Sequence, residues 1–145
     1  MDAKADVYVT NSPEETEALG AELAKGLLSS PGEVIGLVGE LGAGKTSFVR
    51  GMARGLGVKG CVKSPSFTLI NVYEGGSLPL YHIDLYRLAK LEELYGAGLE
   101  EYIYAKGISV IEWADKFPAL YAECNIIVIF SYKGEDMREI EIRRR

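Results

Sequence analysis

The octapeptide Gly39-Glu40-Leu41-Gly42-Ala43-Gly44-Lys45-Thr46 constrains this chain more than any other stretch. It fits G-x-x-x-x-G-K-[ST] at every fixed position, the pattern of a phosphate-wrapping loop. The spacing has a physical cause. A chain of phosphates must be wrapped by inward-pointing backbone N–H groups, and glycines let the backbone turn tightly and approach without a Cβ clash. A helix starting near Lys45 aims its N-terminal N–H groups and positive dipole end at the anion. Lys45 then reaches the β- and γ-phosphates, and the Thr46 hydroxyl joins the Mg²⁺ shell. Context supports the match: Val34-Ile35-Gly36-Leu37-Val38 precedes it as a buried strand. Phe48, Val49, Met52, Ala53 and Leu56 follow as the packing face of a helix over 46–56.

The rest of the chain is consistent with one domain over 1–145, without repeats, low-complexity tracts or a long linker. Ala5–Thr10 reads as a strand. Ser12-Pro13-Glu14-Glu15 opens a helix, with Ser12 as N-cap, Pro13 at the first position and Glu15 returning to the cap. Leu19, Leu23 and Leu27 give it an apolar face, and it should end between Ser29 and Gly32. Ser64–Val72 is a hydroxyl-rich loop or strand, 78–84 a strand, and Glu92–Tyr104 a helical stretch interrupted by Gly96 and Gly98. Ile108–Ile111 is a buried strand. Ile126–Tyr132 and Glu139–Arg143 form a hairpin through Lys133–Asp136. The expected fold is α/β, three-layered and P-loop-NTPase-like, with a mostly parallel central sheet and an antiparallel C-terminal hairpin.

Phosphate chemistry with Mg²⁺ needs a carboxylate at the C-terminal end of a neighbouring strand. Leu80-Tyr81-His82-Ile83-Asp84 and Ile108-Ser109-Val110-Ile111-Glu112 each end in one. Spacing leaves open which of Asp84 and Glu112 touches the ion. The bland alternative is an acid capping the next helix or pairing with Arg87. His82 shares a face with Asp84 and reads more readily as a half-buried strand residue than as a general base. Trp113, the only tryptophan, fits a core anchor as well as a nucleotide-responsive role. Ser64-Pro65-Ser66-Phe67-Thr68 is either a plain turn or a segment that senses a γ-phosphate.

Composition narrows the classes. The chain has 145 residues, 48% hydrophobic and 26% charged. No apolar run reaches the roughly 20 residues of a membrane span. The N-terminus lacks the apolar core of a secretory signal, so a cytoplasmic location is expected. The net charge of −5 argues against independent binding to nucleic acid. Arg143-Arg144-Arg145 reads as a solvated, frayed tail. Cys61 and Cys124 read as reduced and structural, and a single histidine excludes a multi-histidine metal site.

Together these residues resemble the TsaE (YjeE) family, bacterial ATPases of tRNA threonylcarbamoyladenosine synthesis. The resemblance spans nearly the whole chain. It rests on GELGAGKTSFVRG (39–51), SPSFTLINVY (64–73), YHIDLYRL (81–88), GLEEYI (98–103) and VIEW (110–113). It implies weak intrinsic ATP hydrolysis and partnership with TsaD and TsaB, which modify adenosine 37 of tRNAs reading codons that begin with A, so that tRNA is met only through the complex. It also implies catalytic roles for Lys45, Asp84 and Glu112, and metal roles for Thr46, Asp84 and Glu112. Nucleotide contacts would come from Gly39, Gly42, Ala43, Gly44, Lys45, Thr46, Ser47, Thr16, Thr68 and Trp113, with Thr16 near the base. Ser66 stands where the family usually has threonine, which keeps the hydroxyl. Ala114-Asp115 replaces a frequent Pro-Glu, which bears on loop shape.

Three other readings compete. A small-molecule kinase needs an arginine-bearing lid, whereas outside the C-terminal tail only Arg50, Arg54, Arg87 and Arg138 occur, scattered. A GTP switch needs a guanine-reading N-K-x-D, which is absent. A nucleotide-binding assembly factor would release no phosphate even with partners.

Overall fold

One seven-stranded sheet organises the described chain, in the order β1-β7-β6-β2-β5-β4-β3. The structure is a computed structural model and describes residues 4–30, 32–40, 44–59, 70–86, 88–96, 98, 101 and 106–145. The strands are β1 (Lys4–Thr10), β2 (Glu33–Val38), β3 (Ile70–Tyr73), β4 (Leu80–Asp84), β5 (Ile108–Glu112), β6 (Ile126–Tyr132) and β7 (Arg138–Arg144). The helices are α1 (Pro13–Gly26), α2 (Lys45–Gly55), α3 (Leu91–Gly96) and α4 (Pro118–Glu123), with a 3₁₀ turn at Ala114–Lys116. No helix among the described residues is long and apolar enough to cross a membrane.

Strands β6, β2, β5 and β4 run parallel. Both flanks are antiparallel, β6–β7–β1 on one side and β4–β3 on the other. The expected parallel centre and C-terminal hairpin are present. The antiparallel pairings of β1 and β3 are additional; β1 depends on β7, remote in sequence, whereas β3 pairs with the next strand, β4.

Alternation along the strands builds two cores. Ile35, Leu37, Val110, Val128 and Phe130 point to one face and pack under Leu23, Phe48, Val49 and Met52 of α1 and α2. Val34, Ile83, Ile111 and Ile127 point to the other, where Leu94 of α3 and Leu120 of α4 cover them. The sheet is thus the middle of three layers. Glycines bring α1 and α2 into backbone contact: a Cβ on Gly51 would overlap the Glu17 carbonyl, and one on Gly20 would overlap that of Phe48.

Helix α1 begins as read, but it ends at Gly26, with Leu27 as its C-cap, a little before the expected stop. Helix α4 escaped the sequence reading, although Pro118 at its first position marks it. Of the stretch read as helical over 92–104, α3 is described, and most of the remainder lies outside the described residues. The C-terminus corrects an expectation. Arg143 and Arg144 belong to β7, and Arg145 donates from Nη1 to the carbonyls of Tyr121, Ala122 and Cys124. These bonds cap the end of α4, a cation meeting helix C-terminal carbonyls, so the tail is held rather than frayed, while all three arginines are exposed to solvent as expected. Cys124 is buried, its thiol donates to Leu120 O at 3.6 Å, and burial pushes it up to about 11. Cys61 lies outside the described residues.

Candidate functional site

The candidate site lies at the C-terminal ends of β2, β4 and β5, where a parallel sheet opens towards ligands. Strand β2 delivers Gly39 to it. A Cβ at Gly39, whose φ is +149°, would stand 2.8 Å from the Phe130 carbonyl, so only glycine lets the chain leave the sheet this close to β6. At the far end of the loop Gly44 takes a left-handed conformation, φ +99°, and serves as N-cap of α2. No side chain caps this helix, and its first turn carries no acid. Its leading N–H groups and dipole are therefore directed at whatever enters the loop. Thr46 and Ser47 occupy the second and third helical positions. Gly42 and Ala43 lie outside the described residues, as do Thr68, the whole of 64–68 and Arg87.

Lys45 is 4% exposed. Its ammonium donates to the Gly39 carbonyl at 2.9 Å and lies 4.5 Å from the centre of the Trp113 ring. Burial lowers its pKa, opposed by the charges of Glu112, Asp84 and Asp115. The lysine thus spans the loop from its last residues to its first, with an aromatic face beneath and acids nearby.

The two strand-end acids face one another in register, Asp84 against Glu112. Burial raises the pKa of Asp84 and the Glu112 charge adds to this, while the Tyr86 N–H bond and Lys45 oppose it. Asp84 accepts that bond from Tyr86 N at 2.9 Å, a tight turn at the strand end. Glu112 is buried, and one of its carboxylate oxygens lies 2.6 Å from Nε2 of His82, which is wholly buried. Each acid is therefore fixed through one oxygen. Asp84, Glu112 and the Thr46 hydroxyl all offer oxygen, the donor type that a hard divalent cation such as Mg²⁺ takes alongside waters and phosphates. Among the described residues no group of three or more His, Cys, Asp and Glu forms a cage of its own.

Trp113 follows Glu112 with φ +63°, the one non-glycine residue at positive φ among those described. Such a conformation costs about 1–3 kcal/mol and persists here because the next residue is locked. A Cβ at Gly36 would be 2.9 Å from that of Ala114, so the glycine in β2 makes room for the 3₁₀ turn. Lys116 at the end of the turn donates to Tyr86 O at 2.8 Å. The turn brings the Trp113 ring 5.2 Å from that of Tyr86. Tyr86, Trp113, Asp115 and Lys116 line a shallow depression of about 390 Å³ beside Lys45.

Thr16 lies near the loop, though its hydroxyl is engaged elsewhere. A Cβ at Gly44 would stand 3.5 Å from its methyl, while its Oγ1 is 2.7 Å from that of Thr10. Sequence reasoning gathered Gly39, Gly44, Lys45, Thr46, Asp84, Glu112 and Trp113, and the fold brings them to one end of the sheet. It missed the contact of His82 with Glu112, the place of Tyr86 beside Trp113, and Arg138. The stem of Arg138 approaches Gly44, while its Nη1 donates to the carbonyls of Gly134, Glu135 and Met137. The pairing of His82 with Glu112 has a faint signal in the strand period, which puts His82 and Asp84 on one face.

The family model described as "Threonylcarbamoyl adenosine biosynthesis protein TsaE" matches residues 10–140. The chain is 41% identical over 131 residues to the tRNA threonylcarbamoyladenosine biosynthesis protein TsaE of Bacillus subtilis (strain 168), covering 90% of this chain and 80% of that protein. It is 40% identical over 134 residues to the protein of the same name from Treponema pallidum (strain Nichols), covering 92% and 97%. The crystal structure of Bacillus subtilis YdiB superposes with a TM-score of 0.78 at 36% identity, covering 99% of this chain and 88% of that one. With its phosphate-loop spacing, its paired strand-end acids and a family match over most of its length, the chain belongs to the TsaE family.

Proposed function

We propose that this protein binds ATP with Mg²⁺ and hydrolyses it slowly, as the nucleotide-cycling subunit of a machine that forms threonylcarbamoyladenosine at position 37 of tRNAs reading codons that begin with A. Its partners are homologues of TsaD and TsaB, and it meets tRNA through them, in the cytoplasm. The observation that carries the reading is the convergence of an uncapped α2 N-terminus, buried Lys45 and the register pair Asp84–Glu112 at one end of the sheet.

Lys45 and the backbone N–H groups at the start of α2 hold the phosphates and stabilise charge that develops on them. Thr46, Asp84 and Glu112 would hold Mg²⁺, which supplies positive charge against the phosphate oxygens. One of the two acids orients a water for attack on the γ-phosphorus. The bond from phosphorus to the β–γ bridging oxygen breaks, and the products are ADP and phosphate. Gly39, Gly42, Ala43 and Ser47 would contact the phosphates, Thr16 and Trp113 would flank the nucleotide, and Thr68 would respond to its γ-phosphate. Turnover by the subunit alone is slow because Arg138, the described arginine that approaches the loop, has Nη1 committed to hairpin carbonyls. A partner completes the site.

The experiment is phosphate release from ATP by the protein alone, then with purified TsaD and TsaB homologues and tRNA. Release that rises with the partners and vanishes in Lys45→Ala, with the fold intact, is the expected result. Normal turnover in Lys45→Ala would remove the site assignment. Release indifferent to the partners would remove the pathway and direct attention to phosphate transfer onto a metabolite.

A further inference from the structure

We infer that His82 is a positioning residue that fixes the Glu112 carboxylate for Mg²⁺; the inference rests on the Mg²⁺–ATP reading above. His82 stands on β4 two residues before Asp84, on the same face, and is wholly buried. In the parallel register its own neighbour is Val110, so Glu112 leans back one step along β5 to meet it at 2.6 Å. The ring's other nitrogen, Nδ1, is buried and has no hydrogen-bond partner among the described residues.

Hydrogen-bond accounting selects the arrangement. With the proton on Nε2, the ring donates to Oε2 of Glu112 and leaves only a lone pair on Nδ1. The other tautomer sets two acceptors against each other at 2.6 Å and strands a buried N–H on Nδ1, which is the costlier orphan. The first tautomer therefore prevails, and Oε2 is committed as an acceptor. A carboxylate held through one oxygen offers its other oxygen, in one orientation, to a cation or its water. Hydrogen-bonded partners of ligating carboxylates set metal affinity in this way. An apolar residue at 82 would leave a nearly buried carboxylate oxygen without its donor and free to rotate.

The test uses calorimetric titration of a non-hydrolysable ATP analogue, with and without Mg²⁺, into the full-length wild type, His82→Gln, His82→Asn and His82→Leu. Glutamine carries an N–H out to the reach of Nε2, asparagine falls short, and leucine fills volume only. Leu and Asn are expected to weaken the Mg²⁺-dependent part of binding by about 10-fold or more. Metal-free binding should stay at the wild-type level, and Gln should recover most of the loss. If Leu melts early, Asn against Gln carries the comparison at matched fold, checked by circular dichroism. Wild-type Mg²⁺ dependence in folded Leu or Asn would overturn the inference, as would a Gln variant as impaired as Asn. A wild type that binds the analogue neither with nor without Mg²⁺ would instead overturn the nucleotide reading, and this inference with it.

Discussion

Helices α1 and α2 lie against each other over the same face of the sheet, yet they begin in opposite ways. The start of α1 is closed: Ser12 accepts from the Glu15 N–H at 3.1 Å, Glu15 accepts from the Asn11 N–H at 3.0 Å, and Glu14 adds charge to the first turn. The start of α2 has a left-handed glycine, no capping side chain, no acid and a buried lysine. Identical backbone physics gives both helices orphan N–H groups and a positive end. One satisfies them from its own sequence, and the other keeps them for a ligand. The difference separates a helix that serves stability from one that serves binding.

Four substitutions break or sharpen that contrast. Gly51→Ala attacks what the helices share, because its methyl would overlap the Glu17 carbonyl. A loss of about 3 kcal/mol is expected in urea unfolding, and an unchanged midpoint would show that the helices can part freely. Ser12→Ala opens the closed end and should cost about 1 kcal/mol, leaving nucleotide affinity unaltered. Ser47→Asp closes the open end. It should raise thermal stability by about 0.5 kcal/mol and weaken ATP binding at the same time; tighter binding would contradict an anion site.

Asp84→Asn should give the smallest effect, since Asp84 is only half-buried and the Tyr86 N–H and Lys45 offset part of its burial. The folded pKa of Asp84 is raised, so the native state binds more protons than the unfolded chain between 3.8 and that raised value, and stability falls as pH rises through this window. The variant should therefore melt above the wild type at neutral pH, with the gap closing as pH falls towards 3.8. A gap constant in pH would assign the gain to something other than this charge.

Much of this was legible in the sequence, for identifiable reasons. The apolar run 34–38 and the face Phe48–Leu56 are local patterns, and the structure realises both nearly residue for residue; of the glycine-spaced stretch 39–46 it places Gly39 at the end of β2 and Gly44 as N-cap of α2. Asp84 and Glu112 stood out because an acid ending an apolar strand is costly to bury without a role. The strand order was not legible. Nothing local to Lys4–Thr10 says that it pairs with β7, more than 120 residues on. The contact of His82 with Glu112 was hidden for the same reason, as it requires the register of two strands whose contacting residues lie 30 positions apart. Trp113 at positive φ was hidden because sequence statistics reserve that conformation for glycine, and only packing around Ala114 and Gly36 enforces it.

The strained tryptophan also has an optical consequence. Its indole is the only one in the chain, 4.5 Å from the Lys45 ammonium and 5.2 Å from the Tyr86 ring. All indole emission of this protein therefore originates beside the phosphate loop. Its colour and intensity follow the local field and water content there, so the molecule carries its own fluorescent reporter at the place where its chemistry is proposed to occur.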